Sequence, residues 1–312
     1  MSVTTTQIGT NSWQLDYTTG TTQADIKTAV EGAITSGGWE VYDAIAIAGN
    51  MGVCYKAPNA DGASFKYVVV DYTGGNIIIK LYETWNSTLH TGSNLATCSD
   101  QAATYGGKYT LTAPGQIFIF ANPRWLAMTT RDPATGQLNT NTTWQGLFGA
   151  FEVARDNPED TAIAGYPPVI WLHSHFLFLN PTMPSALNCC ATMSRTRNGA
   201  VGTAALVELG TLLGKPRSAS SIKTQAFVPA VTNIWNSKDW SLTLYASEPA
   251  NVIRGRVFGL KAFTYNKNLF MDKASVSVDS DFFYNSSGTA SDHFVVISGA
   301  YGSAAGRVLI PA

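Results

Sequence analysis

The stretch Phe65-Lys-Tyr-Val-Val-Val-Asp-Tyr72, Thr73-Gly-Gly75, Asn76-Ile-Ile-Ile-Lys-Leu-Tyr-Glu-Thr-Trp85 decides the fold class. Two runs rich in β-branched and aromatic residues flank a Gly-Gly turn, which is the pattern of a β-hairpin. Phe65, Tyr67 and Val69 fall on one face of the first strand, and Lys66, Val68 and Val70 on the other. Ile77, Ile79 and Leu81 share a face of the returning strand. Working outward, residues 39–44 read as a short aromatic strand and Pro58-Asn-Ala-Asp-Gly62 as a turn. Residues 116–121 and 125–129 form a strand pair around Asn122-Pro123. Residues 144–153, 168–179, 240–246, 252–258, 275–283 and 294–298 carry the same strand signal.

Helical spacing is clear once. Ile26, Ala29, Val30, Ala33 and Ile34 recur at one face of a 3.6-residue period, which predicts a helix over 22–36. Thr22 caps its start, Asp25 sits in the first turn where the helix dipole favours an anion, and Gly37 and Gly38 end it. Ala and Thr fill most of the remaining positions, so this helix is expected to lie against a sheet. Asn157, Pro158 and Asp160 start a second helix, kept short by Gly165 and Pro167-Pro168. Residues 204–213 read equally as a short helix or a buried strand. The expected fold is α+β, mainly antiparallel β, with sandwich- or barrel-like sheets, the helix at 22–36 and a few short helices. The two prolines of Asn180-Pro-Thr-Met-Pro-Ser185 mark a boundary between an α+β domain at 1–180 and a β-rich domain at 181–312.

Composition narrows the function. The chain has 312 residues, with 20 Lys+Arg against 21 Asp+Glu, a formal charge of −1. That balance argues against a nucleic-acid or anionic-membrane partner. Charged residues are 13% of the chain, against roughly 25% in ordinary soluble domains. Hydrophobic residues are 45%, which excludes disorder. A surface built from Ser, Thr, Asn, Gln and Gly loses little hydration when covered, so a subunit with broad contacts is favoured over a lone enzyme. The start, Met1-Ser-Val-Thr-Thr-Thr-Gln-Ile-Gly9, has neither a basic region nor an apolar core, so no signal peptide is expected. The longest apolar stretch, residues 169–179, is interrupted by His173, Ser174 and His175 and falls short of the ~18–20 residues of a spanning helix. A soluble chain is expected. Cys54, Cys98, Cys189 and Cys190 contain no CxxC pair and are expected as free buried thiols. The Asn-x-Ser/Thr sites at Asn86, Asn141 and Asn285 carry no weight without secretion.

Few residues point to chemistry. His173 and His175 share one face of a strand and can reach one metal, completed by His90, by His293 or by the same pair from symmetry-related chains. The plainer alternative is two hydrogen-bonded histidines on a half-buried strand, and no cofactor is expected. Glu152, Asp156, Glu159 and Asp160 form an acidic group that a glycosidase can use, but a helix start explains Glu159 and Asp160 without catalysis. Lys215, Arg217 and Lys223, with Arg195 and Arg197, make a basic loop region read as solvated or subunit-facing. Gly210-Thr-Leu-Leu-Gly-Lys-Pro216 is one residue short of a phosphate loop, and Pro216 stands where Ser or Thr belongs. No Gly-x-Ser-x-Gly, HExxH or strand-following GxGxxG occurs. Trp39, Tyr82, Trp85, Trp125 and Trp144 are the candidate subunit contacts, being aromatic, near turns or strand ends and flanked by few charges; each suits a core equally well.

Several stretches carry a resemblance. They are Ser36-Gly-Gly-Trp-Glu-Val-Tyr-Asp43; Tyr55-Lys-Ala-Pro-Asn-Ala-Asp-Gly62 with Tyr67-Val-Val-Val-Asp-Tyr-Thr-Gly-Gly-Asn76, Leu81-Tyr-Glu-Thr-Trp-Asn86 and His90-Thr-Gly-Ser-Asn94; Arg155-Asp-Asn-Pro-Glu-Asp-Thr161 with Gly165-Tyr-Pro167; and Arg254-Gly-Arg-Val-Phe-Gly-Leu260. Together they are similar to virion structural proteins of tailed bacteriophages, over residues 20–180 most specifically. The resemblance implies a particle component without chemistry of its own, assembled in the host cytoplasm into the virion. It would pack against copies of itself, as a homo-oligomer, and against other virion proteins. Tail or baseplate is the leading location. Neck, fibre attachment and head decoration remain as alternatives, as does a receptor-binding or glycan-degrading module.

Overall fold

A computed structural model describes residues 3–47, 50–60, 62–96, 107–111, 113–131, 148–155, 169–173, 191–193, 208–210, 241–248, 252–263, 284–285, 293–297 and 307–311. The chain opens with strands β1 (Thr4–Gly9) and β2 (Ser12–Tyr17) and helix α1 (Gln23–Ser36). A meander follows: β3 (Glu40–Ile47), β4 (Asn50–Pro58), β5 (Phe65–Thr73) and β6 (Asn76–Tyr82). Next come the small strands β7 (Thr84–Asn86) and β8 (Thr91–Ser93), then β9 (Gly107–Thr110), β10 (Gly115–Asn122), β11 (Trp125–Arg131) and β12 (Phe148–Arg155). The remaining strands are β13 (Val169–His173), β14 (Ala191–Met193), β15 (Glu208–Gly210), β16 (Ser241–Glu248), β17 (Val252–Phe263), β18 (Tyr284–Asn285), β19 (His293–Ile297) and β20 (Arg307–Pro311).

The fold is α+β and mainly antiparallel β. β3-β4-β5-β6-β9 form a five-stranded antiparallel sheet. The larger sheet has thirteen strands along the path β1-β2-β10-β11-β12-β17-β20-β19-β18, with β13 and β14 branching from β12, and β16 and β15 from β17. β12 makes the branch by pairing β11 and β13 along its first half and β17 at Val153–Arg155. One ladder system therefore contains strands from both sides of residue 180. The boundary at 180–185 itself, the short helix expected at 157 and the strand expected at 275–283 lie outside the described residues. Within 204–213, Glu208–Gly210 is strand.

Local chemistry explains the elements that position the rest. Gly74 and Gly75 turn the β5–β6 hairpin at φ 55° and 76°, the all-positive turn that matches strand twist and that side chains resist. In α1, Thr22 Oγ1 accepts the Asp25 N–H at 3.1 Å while Asp25 accepts the Thr22 N–H at 3.1 Å, a reciprocal capping box. The Thr22 hydroxyl also donates to Asp25 Oδ2 at 2.7 Å, and this bond first, then the Thr22 N–H, holds the Asp25 carboxyl below its ordinary pKa. Gly37 closes the helix with its N–H on Ala33 O, and Gly38 leaves it at φ 87°. The β10–β11 turn is an Asx turn: Asn122 Oδ1 accepts from the N–H groups of Arg124 (2.7 Å) and Trp125 (3.3 Å).

One core lies between the two sheets and α1. Leu15 from β2, Ile117 and Ile119 from β10 and Met128 from β11 meet Tyr55, Val68, Val70 and Ile77 from the smaller sheet, with Val30 and Ile34 of the helix beside them. Each large apolar side chain so covered contributes roughly 1.5–3 kcal/mol. In β10 the alternate residues Phe118 and Phe120 are buried as well, so this central strand is covered on both faces. Of the helix stripe expected from spacing, Ile26, Val30, Ala33 and Ile34 are buried, and Ala29 is partly buried against the same core.

Candidate functional site

Strand parity places Lys66 on the same face as Val68 and Val70, and that face is the core. The lysine is 2% exposed. Its Nζ donates to Pro58 O (2.8 Å), Asn59 Oδ1 (3.2 Å) and Glu152 Oε2 (3.3 Å), so all three N–H bonds are satisfied. The ammonium also lies 5.7 Å from the centre of the Trp39 ring. Glu152, 1% exposed, answers with both oxygens: Oε1 accepts the Ala60 N–H at 2.6 Å, and Arg124 Nη1 reaches Oε1 at 3.2 Å and Oε2 at 3.3 Å. This group ties the β4–β5 turn to β12 and to the β10–β11 turn. Trp39 joins the same corner through Nε1–H to Asn122 O at 2.8 Å. Glu152 is thus held by two cations and a backbone amide in the interior, a structural use of a residue that the acidic group at 152–160 put forward for glycoside cleavage. Asp156, Glu159 and Asp160 lie outside the described residues.

The opposite face of the smaller sheet is built differently. Register stacks Phe65, Tyr67 and Val69 of β5 over Pro58, Lys56 and Cys54 of β4, with Tyr82 of β6 beside Tyr67. β3 contributes through a bulge. Val41 pairs Tyr55 and Asp43 pairs Cys54, leaving Tyr42 as the extra residue. The added residue delivers both Tyr42 and Asp43 to this outer face, where regular alternation would deliver one. Tyr42 and Tyr67 lie with ring centres 5.5 Å apart, and Tyr82 and Trp85 meet edge-on at 5.3 Å. Lys56 Nζ sits 4.1 Å from the Phe65 ring centre and 4.7 Å from that of Tyr42. Phe65 is 38% exposed. Beneath the rings Cys54 is free and fully covered; burial pushes its thiol pKa far up, and neighbouring Asp43 adds to the shift, so it stays protonated and inert.

Asp43 is the polar anchor of this face. Its carboxylate, 8% exposed, accepts Trp85 Nε1–H at 2.8 Å and His90 Nδ1 at 2.9 and 3.1 Å. Because a carboxylate only accepts, Nδ1 carries the hydrogen, and the side chain is 46% exposed. His90 itself adopts φ 53°, an uncommon conformation for a residue with a side chain. It follows the Asn86 turn, where Asn86 Oδ1 accepts from the N–H groups of Thr88 and Leu89. The β7–β8 hairpin is pressed onto the sheet at Gly92, because the Tyr82 ring occupies the space a Cβ would need, 2.2 Å away.

Of the candidate contacts, Tyr82 and Trp85 come together on this outer face. Trp39 and Trp125 are buried in the chain's own interior, the latter with its ring against Gly259. Trp144 lies outside the described residues, as does His175; His173 ends β13 opposite Phe148. Among the described residues no three His, Cys, Asp or Glu side chains gather as metal ligands. Spacing gave no hint of the Asp43–His90 pair, which joins residues 47 apart, nor of Lys66–Glu152, 86 apart. The one available signal was Lys66 sharing strand parity with two valines. No protein-family model matches this sequence, and no curated protein does either.

Proposed function

We propose that this chain is a non-enzymatic structural subunit of a tailed-bacteriophage particle, in the tail or its baseplate, and that the outer face of the β3–β6 sheet packs against a neighbouring subunit. The carrying observation is convergence. Tyr42, Asp43, Lys56, Tyr67, Tyr82, Trp85 and His90 all come from the stretches that resemble phage virion proteins, and they gather on this one face. The face carries an aromatic cluster stiffened by ring–ring contacts, and of its carboxylates Asp43 is held by Trp85 and His90 and Asp71 by the Thr73 hydroxyl, which lowers the cost of covering it. The low overall charge supports the same reading.

Two experiments test it. Native particles purified from infected cells should contain the chain at fixed copy number, with this face against a neighbour in their density map. Phe65→Glu, which adds a charge to the open rim of the face, should lower incorporation at least about 10-fold, equivalent to about 1.4 kcal/mol of contact energy, while far-UV circular dichroism stays unchanged. Particles lacking the chain, or full incorporation of the variant, overturn the proposal. Release of reducing ends from host surface polysaccharide would favour the glycan-degrading alternative instead.

A further inference from the structure

Among the described residues strand β1 is held along one edge only. β2 pairs it from Thr4↔Asp16 to Gly9↔Ser12, and among the described residues nothing pairs its other side. Thr4, Thr5, Thr6 and Gln7 are exposed on both faces of the strand. Six ordered residues thus rest on a single ladder, with little burial to offset the entropy of holding them.

The alternation of hydrogen bonds shows what the free edge offers. Ala121 N–H donates to Asn11 O at 2.9 Å, and these two residues stand opposite each other where the β2–β10 register continues past Ser12. In steps of two, Trp13, Leu15 and Tyr17 direct their backbone groups to β10. Ser12, Gln14 and Asp16 therefore direct theirs to β1, where Gln14 meets Thr6 and Asp16 meets Thr4. The N–H and C=O groups of Thr5 and Gln7 consequently point away from the sheet. Such an edge is ordinarily disarmed by Lys, Pro or an inward charge. Residues 3–12 contain no charged residue and no proline. The edge strands of the smaller sheet differ, with Glu40 and Asp43 in β3 and Lys108 in β9.

We infer that β1 pairs antiparallel with β1 of a second copy of this chain, about a two-fold axis at Thr6. Thr6 then faces Thr6, and Thr5 faces Gln7 on both sides of the axis. The outward groups of Thr5 and Gln7 exchange four hydrogen bonds, and an uncharged Thr-rich edge meets itself without repulsion. The register shift between Gln7 and Gly9 limits the pairing to this short segment. Two large sheets become one across the axis. This names a partner for the structural-subunit reading, but its test is made on the isolated chain and can fail separately.

Thr5→Pro removes an outward N–H and takes no bond from the β1–β2 ladder. In sedimentation velocity the unaltered 312-residue chain should form dimers, and Thr5→Pro should weaken them at least about 10-fold with an unchanged far-UV spectrum. Thr6→Cys should give a disulfide-linked dimer under mild oxidation that the unaltered chain does not give, because a facing non-hydrogen-bonded pair has Cα atoms about 4.5 Å apart, within disulfide reach. A monomeric unaltered chain, undiminished association of Thr5→Pro, or no cross-linking through Thr6→Cys overturns the inference. Undiminished association of Thr5→Pro would leave the aromatic face, and the particle reading, standing. Loss of dimer in a chain absent from particles would do the reverse.

Discussion

Glu152→Ala should cost about 3–5 kcal/mol of stability, read as a lowered midpoint in urea denaturation. The carboxylate sits in the interior between Lys66, Arg124 and the Ala60 amide. Its removal takes the carboxylate from the covered Lys66 ammonium, which also donates to the neutral acceptors Pro58 O and Asn59 Oδ1. Taking one partner from a buried ion pair is far more costly than losing a surface pair. Lys66→Met should cost distinctly less, because Glu152 keeps Arg124 and the amide while Met fills similar volume beside Trp39. Equal losses for the two substitutions would mean that the pair acts through packing and not through charge.

The second large effect falls on β17. Gly255 has φ 143°, and a Cβ there would lie 1.6 Å from Ala154 O. No side-chain rotation relieves a clash between backbone and Cβ, so Gly255→Ala must open the Val153–Arg155 pairing that joins β12 to β17. The expected cost is about 3 kcal/mol or more, seen as a lower Tm together with faster amide exchange along both strands. A variant as stable as the parent would show that this seam tolerates a shift of register. Gly259, at φ 68°, lies under the Trp125 ring in the same way. Both glycines of Arg254-Gly-Arg-Val-Phe-Gly-Leu260 thus have a steric reason to be glycine.

What was legible in the sequence was local. The β5–β6 hairpin and α1 announce themselves because their signals, a Gly-Gly turn between β-branched runs and a capped 3.6-residue stripe, lie within twenty residues. β1 was not legible: Thr-Thr-Thr-Gln buries neither face, so there is no alternation to read. β4 was hidden for another reason, since Gly52, Cys54 and Lys56 blur its pattern. The site was less legible than the fold. Parity alone puts Lys66 with Val68 and Val70, but whether that face is wet or dry depends on Glu152, which strand pairing brings in from far along the chain. The outer face was half legible. Tyr82 and Trp85 were singled out as aromatics near strand ends, whereas Asp43 reaches them through a one-residue bulge that no composition rule reveals.

The anchoring of the β4–β5 turn has a practical consequence for anyone labelling this protein. Surface turns are the usual places to graft a tag or fluorophore, and both turns flanking β5 look suitable on paper. They are not equivalent. Between Asn59 and Ser64 the chain is stapled to the interior by Ala60 and the carbonyl of Pro58, so a graft there would pull a charged cluster apart. At Gly74-Gly75 no described residue comes within 4 Å of the space beside Gly75, and a tag inserted there with both glycines kept, since their positive φ values resist side chains, stays clear of the corner that holds the two sheets together.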